Sequence, residues 1–133
     1  MSDHYRFTIL GCGSSGGVPR LGGHWGDCDP DNPRNRRLRP SILVENGGTA
    51  VLVDTSPDLR QQLLNAGVKR LDAVLFTHGH ADHLHGIDDL RGINKAMNAA
   101  LDVYCDAETL NIINMRFEYT VTPLAPGADI YYK

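Results

Sequence analysis

The segment that most constrains the fold is the histidine cluster FTHGHADHLHG at residues 76–86, which follows a nearly continuous apolar run, LDAVLFT. This cluster places four histidines and an aspartate between His78 and His85. The apolar run predicts a buried strand covered on both faces. Because open α/β sheets bind ligands at the carboxyl ends of their strands, we expect a functional site here. A solvated histidine-rich loop is the less favoured interpretation.

The spacing of the cluster favours metal binding. His78 and His80 lie two residues apart in an extended segment, so their side chains point the same way and could share one ion. Asp82 and His83 follow where the chain turns towards a helix, and their different direction favours a second ion; paired metals in hydrolases lie about 3.5–4 Å apart. For His85 we predict a supporting or surface role in preference to metal binding.

The remaining pattern predicts one domain with a mixed α/β (α+β) sheet. Strands are predicted at YRFTIL, at SILVE and TAVLVD around an NGG hairpin turn, and, as a buried strand, at LDVYC. Helices are predicted in TSPDLRQQLLNAG, with Ser56 as cap and Leu59, Leu63 and Leu64 as the buried stripe, in IDDLRGINKAMN, and in DAETLNIINMRF behind the cap Asp106. An antiparallel pair followed by alternating strands and helices is typical of a sheet with helices on at least one face.

Composition excludes several classes of protein. The chain has 133 residues, 41% of them hydrophobic, which is enough to bury the core of one domain. Its three cysteines are scattered, so a disulfide framework is not indicated, and a formal charge of −3 gives no firm nucleic-acid signal. The N-terminus lacks the apolar core of a signal peptide, and no apolar run reaches the roughly 18 residues of a membrane span. We therefore expect a cytoplasmic protein without membrane association.

Several motifs together resemble one family. THGHADH resembles the His-x-His-x-Asp-His signature of the metallo-β-lactamase fold hydrolases, and VDTSPD resembles the strand-end aspartate motif that precedes it there. With GCGSSGGVPR, NPRNRRLRPSILVE and HADHLHGIDDLR, the chain is similar to the subgroup that includes phosphoribosyl cyclic phosphate phosphodiesterase, and more loosely to the tRNA 3′-processing endonucleases. The resemblance runs from about Phe7 to about Phe117.

This resemblance implies a fold, a chemistry and a set of residues. The fold would be half of an αββα sandwich. Two divalent metal ions, zinc first and manganese or iron as alternatives, would be bound by His78 and His80 and by Asp82 and His83, with Asp54 as a supporting residue. A metal-bound hydroxide would then attack a cyclic phosphate or another nucleotide-like phosphodiester.

The glycine-rich and arginine-rich segments are less specific. GCGSSG is literally a G-x-G-x-x-G, but Pro19 and the glycines that follow argue against the helix that a dinucleotide site needs, so we reject that interpretation. Arg36 and Arg37 in RNRRLR, and Arg91 in GIDDLR, are candidates for holding a substrate phosphate, with plain solvated charges as the alternative. His24 and Cys28, four residues apart, are not expected to bind a structural metal.

The family's active site also uses a third histidine, a bridging aspartate and a final histidine, for which we find no counterpart after His85. Residues 1–133 are therefore expected to form a metallo-β-lactamase-like domain truncated in its second half. The chain could be a truncated enzyme, a half-domain completed by another chain, or a catalytically inactive metal-binding or assembly fragment. A half-sheet would expose apolar surface, which favours self-association.

Overall fold

The sheet is mixed, as predicted. The computed structural model describes residues 4–127, in which five strands form one sheet in sequence order: β1 (Arg6–Gly11), β2 (Ser41–Asn46), β3 (Thr49–Val53), β4 (Ala73–Leu75) and β5 (Asp102–Tyr104). The first three strands are antiparallel neighbours, and β3, β4 and β5 are parallel. β2 and β3 meet at the predicted hairpin turn, where Gly47 and Gly48 have φ of 54° and 98°.

In the described part of the chain, five helices connect or follow these strands: α1 (Leu59–Asn65), α2 (Ala81–Leu84), α3 (Leu90–Met97), α4 (Ala107–Arg116) and α5 (Glu118–Val121). Two short 3-10 turns span Pro33–Asn35 and Ile87–Asp89. The predicted cap of α4 is confirmed, because the Asp106 carboxylate accepts a hydrogen bond of 2.8 Å from the backbone N–H of Thr109. In the described part of the glycine-rich loop no α-helix follows β1 before residue 41, as expected from Pro19.

The start of α1 differs from the prediction. The helix begins at Leu59 with Asp58 at the cap position, because the Ser56 hydroxyl accepts from the backbone N–H of Asp58 and donates to the side chain of Gln62, which holds residues 56–58 in a turn. Gln62 takes the buried place expected of Leu64, which is 60% exposed. The predicted stripe is therefore correct for Leu59 and Leu63 only.

The two faces of the sheet have different surroundings. Leu43, Leu52 and Val74 point to one face and pack against apolar side chains of α1, α2, α3 and α4 in a single buried cluster. The strand register places the following apolar side chains on the opposite face: Phe7, Ile9, Ile42, Leu75 and Tyr104. All five are exposed to solvent in the described structure. The helices and the sheet thus form one α/β half of a sandwich, as the resemblance implied.

This open face corrects two expectations. β4 was predicted to be covered on both faces, but only Val74 is fully buried, whereas Leu75 is 40% exposed. β5 was predicted to be buried, yet it is the edge strand and Tyr104 is exposed. Both strands carry apolar side chains on the open face. Their sequence pattern is therefore that of a strand buried on both faces, although helices cover only one face.

None of the helices within residues 4–127 has the length and apolar character needed to cross a bilayer. The expected cytoplasmic location stays a prediction.

Candidate metal centre

The parallel pairing of β3 and β4 brings the two key motifs together. β3 is followed at once by Asp54, and β4 is followed within three residues by His78. The backbone N–H of Asp54 donates to the carbonyl of Leu75 over 2.8 Å, so the two strand ends remain side by side. Because parallel strands end at the same edge of a sheet, the aspartate motif and the histidine cluster meet there.

Asp54 is the centre of this arrangement. Its side chain is buried, and its backbone adopts a left-handed φ of 62° that few non-glycine residues use. The carboxylate accepts three hydrogen bonds of 2.7 Å, from the backbone N–H of Thr77, from the Thr77 hydroxyl and from Nδ1 of His83. The unusual backbone conformation thus aims a buried negative charge at the segment that carries the histidines.

These hydrogen bonds fix which nitrogen of each ring is available. Asp54 accepts from Nδ1 of His83, so the neutral ring keeps the lone pair of Nε2 for a ligand. The Thr77 hydroxyl donates to Asp54 and lies 2.9 Å from Nδ1 of His78, from which it accepts. His78 therefore also presents the lone pair of Nε2. Thr77 was not singled out in the sequence, although it stands directly before His78.

The distances within the cluster fit shared metal ligation. Nε2 of His78 and Nδ1 of His80 are 3.1 Å apart. Two nitrogens bound to one tetrahedral zinc ion, with Zn–N bonds of about 2.0–2.1 Å, lie about 3.3 Å apart. His80 also precedes α2, which carries Asp82 and His83, and Nε2 of His83 lies 3.3 Å from the Asp82 carboxylate. The rings of His78 and His83 are 4.1 Å apart between centroids.

The donors are grouped in pairs. Within residues 4–127 no three or more side chains of histidine, cysteine, aspartate or glutamate are arranged to hold one metal ion. His78 with His80, and Asp82 with His83, each supply two donors where structural and catalytic zinc sites use three or four protein ligands. Each pair would therefore hold a metal ion with two ligands, and the remaining coordination positions would be left to other groups.

His85 belongs to a different contact. It ends α2, its Nε2 lies 3.3 Å from the Arg116 guanidinium, and its ring packs edge-on against Phe117. These partners lie on α4 and just after it. The supporting or surface role expected of His85 stays a prediction.

The three candidate arginines occupy two separate places. Arg36 and Arg37 line a cavity between the glycine-rich loop and α1. Arg91 lies on α3, with its Nε 3.7 Å from the carboxylate of Asp88 one turn earlier. His24 lines the same cavity as Arg36, and Cys28 is exposed.

Arg39 and Asp58 form an ion pair that the sequence did not reveal. The Arg39 guanidinium donates two hydrogen bonds of 2.9 and 2.8 Å to the two carboxylate oxygens, and its backbone N–H donates a third of 2.8 Å. The hydrogen bonds hold the pKa of Asp58 below its usual range and raise the pKa of Arg39. The charge of Asp82 contributes to the rise in the pKa of Arg39, so this pair lies within electrostatic reach of the cluster.

Comparison with known proteins identifies the family. A family model described as a beta-lactamase superfamily domain matches residues 49–130, which include Asp54 and all the histidines of the cluster. The chain belongs to the beta-lactamase superfamily. The sequence-based assignment to the metallo-β-lactamase fold is thereby confirmed.

Two known proteins are similar in sequence to part of the chain. An octanoyltransferase from Porphyromonas gingivalis is 44% identical over 115 residues, which are 86% of this chain and 23% of that protein. A ribonuclease Z from Bradyrhizobium sp. (strain ORS 278) is 36% identical over 85 residues, or 61% of this chain and 28% of the ribonuclease. The chain therefore spans less than a third of either relative.

Solved structures of the fold are also similar. A diphosphatase from the PhnP family aligns with a TM-score of 0.79 and 40% identity, covering 86% of this chain and 46% of the diphosphatase. The Zn²⁺-bound PqqB of Methylobacterium extorquens aligns with a TM-score of 0.62 and 25% identity, covering 86% of this chain and 44% of PqqB. The mixed sheet and helices of this chain match less than half of each of these proteins.

Proposed function

We propose that the protein is a metal-dependent phosphodiesterase that hydrolyses a small cyclic phosphate or nucleotide-like phosphodiester. Two divalent ions would be bound by His78 with His80 and by Asp82 with His83, with zinc as the first choice and manganese or iron as alternatives. The similarity to a PhnP-family diphosphatase and to ribonuclease Z supports a phosphorus ester as substrate. The observation that carries the proposal is the 3.1 Å separation of the His78 and His80 nitrogens, which suits a common ion.

The chain's own residues have distinct parts in this proposal. Asp54 orients His83 directly and orients His78 through the Thr77 hydroxyl, so both rings are set before an ion binds. This preorganisation avoids an ordering cost on binding. Asp82 adds a negative charge beside His83, which favours a cation at this pair. Divalent ions held here would activate water and offset the charge of the phosphate group.

A second candidate is a non-catalytic metal-binding or assembly fragment. It is favoured by the pairwise grouping of the donors within residues 4–127, because two ligands per ion bind weakly and leave the site open. The exposed apolar face of the sheet also suits a chain that associates with another, including a second copy of itself.

One set of variants separates the two candidates. Zinc and manganese content would be measured for the purified chain, together with hydrolysis of bis(p-nitrophenyl) phosphate and of adenosine 2′,3′-cyclic phosphate. The variant His80→Ala removes a proposed ligand, and His85→Ala is the matched control because that ring contacts Arg116 and Phe117.

We expect His80→Ala to lower zinc affinity at least about tenfold and to abolish hydrolysis, whereas His85→Ala changes zinc affinity less than about twofold. Equal zinc affinity in His80→Ala and wild type would refute the proposed ligands. Metal binding that depends on His80 without hydrolysis of either ester would favour the second candidate.

A further inference from the structure

A helix covers the segment between the two proposed ligands of the first ion. Gly79, which separates His78 from His80, is buried. A Cβ added to Gly79 would overlap Cδ1 of Ile112 and lie 3.3 Å from both Cβ and Cγ1 of the same residue, and these are the three nearest atoms. The side chain of Ile112, on α4, therefore fills the space that a side chain at position 79 would need.

Position 79 takes a glycine because of space. The φ of Gly79 is not one of the positive values found at the glycines of the turns, so its backbone lies outside the left-handed region that favours glycine. Protein interiors are close-packed, and a side chain that meets bare backbone leaves little freedom in the distance between the two segments. The contact with Ile112 thus sets how closely the histidine segment approaches α4.

α4 is itself fixed to the core and lies along the histidine cluster. Ile113 is fully buried, so the helix cannot shift without disturbing the core. Ile112 and Arg116 are four residues apart and lie on the same side of α4. The Arg116 guanidinium lies 3.3 Å from Nε2 of His85, so this side of the helix follows the cluster from Gly79 to His85.

The position of the His80 ring depends on its backbone. Among the described residues, this ring makes a hydrogen bond to His78 alone, whereas His78 also contacts the Thr77 hydroxyl. The backbone of His80 is held from one side by α2, where its carbonyl accepts a hydrogen bond of 3.0 Å from the N–H of His83. From the other side it is held by Gly79. The 3.1 Å between the two ring nitrogens therefore depends on the contact that α4 makes with the backbone between them.

The second pair of donors is held by different contacts. Nδ1 of His83 is hydrogen-bonded to Asp54, and the His83 carbonyl accepts from the backbone N–H of Thr55 over 2.8 Å. Both partners follow β3 and neither belongs to α4. A change in the contact with α4 should therefore disturb the first pair of donors and leave the second pair in place.

We propose that Ile112 is a positioning residue for the first ion: by covering Gly79, it holds His78 and His80 at a separation that suits a shared metal. The inference rests on the proposed function, because it concerns the ion assigned to these two histidines. Ile112 has no donor atom and acts only through the backbone that it contacts. Loss of groups that orient metal ligands typically lowers metal affinity about 10–100-fold.

The experiment moves one methyl group across this contact. Gly79→Ala adds a methyl group where Cδ1 of Ile112 lies, and Ile112→Val removes that Cδ1, so the double variant conserves volume. Zinc is titrated into the chain, and binding is followed by NMR at the ring resonances of His80. We expect Gly79→Ala to weaken zinc binding at His80 at least about tenfold, and the double variant to bind zinc within about threefold of wild type.

The control removes the same methyl group from the neighbouring residue. Because Ile113 is fully buried, Ile113→Val should lower the urea midpoint at least as much as Ile112→Val does. It should nevertheless leave zinc binding unchanged within about twofold and should not restore zinc binding to Gly79→Ala. Restoration by Ile113→Val, or no restoration by Ile112→Val, would overturn the role of Ile112 alone. Absence of zinc binding at His80 in the wild-type chain would refute the proposed function together with this inference.

A second measurement decides the case in which Gly79→Ala does not fold. Ile112→Ala opens a gap above Gly79 without adding a clash, and nuclear Overhauser effects between histidine rings are recorded on its metal-free form. We expect the effect between His78 and His80 to fall at least about twofold, because the segment between them loses its cover. The effect between His78 and His83, whose ring centroids are 4.1 Å apart, should be retained. A ratio of the two effects equal to that of wild type would contradict the proposal.

Discussion

The contact between Gly86 and Ser56 gives the sharpest prediction for stability. Gly86 follows α2, and its backbone N–H donates to the carbonyl of Thr55 over 3.0 Å. A Cβ on Gly86 would lie 1.9 Å from the carbonyl oxygen of Ser56, whereas ordinary contacts begin near 3.4 Å. One of the two segments would have to move by about 1.5 Å, the difference between these distances.

That movement disrupts a small group of hydrogen bonds. Thr55 is joined to the segment at the end of α2 by three of them: from its N–H to His83, from its hydroxyl to Leu84, and to its carbonyl from Gly86. If each contributes about 1 kcal/mol, the substitution Gly86→Ala lowers the free energy of unfolding by about 3 kcal/mol. The backbone angles of Gly86, φ −84° and ψ 2°, are open to alanine, so the loss would come from the steric contact alone.

The matched control is Gly92→Ala. Gly92 is an exposed residue inside α3, and an added Cβ there meets no atom within 4 Å. Alanine is the better helix former, so this variant should raise the free energy of unfolding by about 0.5–1 kcal/mol. Both variants would be unfolded in urea and followed by far-ultraviolet circular dichroism. A Gly86→Ala protein within about 1 kcal/mol of wild type, or an equal loss in Gly92→Ala, would refute the steric argument.

Three further variants test other parts of the structure. Gln62→Ala should lower the free energy of unfolding by about 2 kcal/mol, because this buried side chain links α1 to the carbonyl of Arg39; a urea midpoint equal to that of wild type would contradict this. Asp58→Asn should lower the free energy of unfolding at neutral pH but not in strong acid, because Arg39 lowers the pKa of Asp58 below 3.8. The stabilisation by the ionised carboxylate is complete above pH 3.8 and is lost as the pH falls through the folded-state pKa. If the difference in unfolding free energy between Asp58→Asn and wild type stays the same as the pH is lowered, this assignment is refuted. Phe7→Ser should cost less than about 1 kcal/mol, since Phe7 is 67% exposed, whereas Leu43→Ser on the covered face should cost about 3 kcal/mol or more; similar urea midpoints for the two variants would show that both faces are covered.

Much of the fold could be predicted because local patterns and turn chemistry agreed with it. The hairpin at Gly47, the Asp106 cap and the alternation of strands and helices are determined by neighbouring residues, and each is present in the structure. The prediction for the start of α1 was wrong because a side-chain contact beyond the nearest neighbours determines it. Ser56 was expected to cap α1, but its hydroxyl is held by Gln62 one and a half turns later, so the helix begins at Leu59.

The candidate site likewise has a part that the sequence predicted and a part that it did not. The spacing of His78, His80, Asp82 and His83 was sufficient to predict which side chains gather after β4, although their binding of metal stays a prediction. The role of Thr77 was not evident, because a hydroxyl that joins His78 to Asp54 depends on the pairing of two strands far apart in sequence.

The sequence by itself therefore determined the family, the order of the five strands and of α1, α3 and α4, and the group of residues at the strand ends, since these follow from local spacing and residue type. Only the tertiary structure decided which sheet face the helices cover, because both faces of the central strands are apolar in sequence. Only the tertiary structure also joined the arginine-rich segment to the glycine-rich loop as a cavity, through backbone contacts between residues about twenty positions apart.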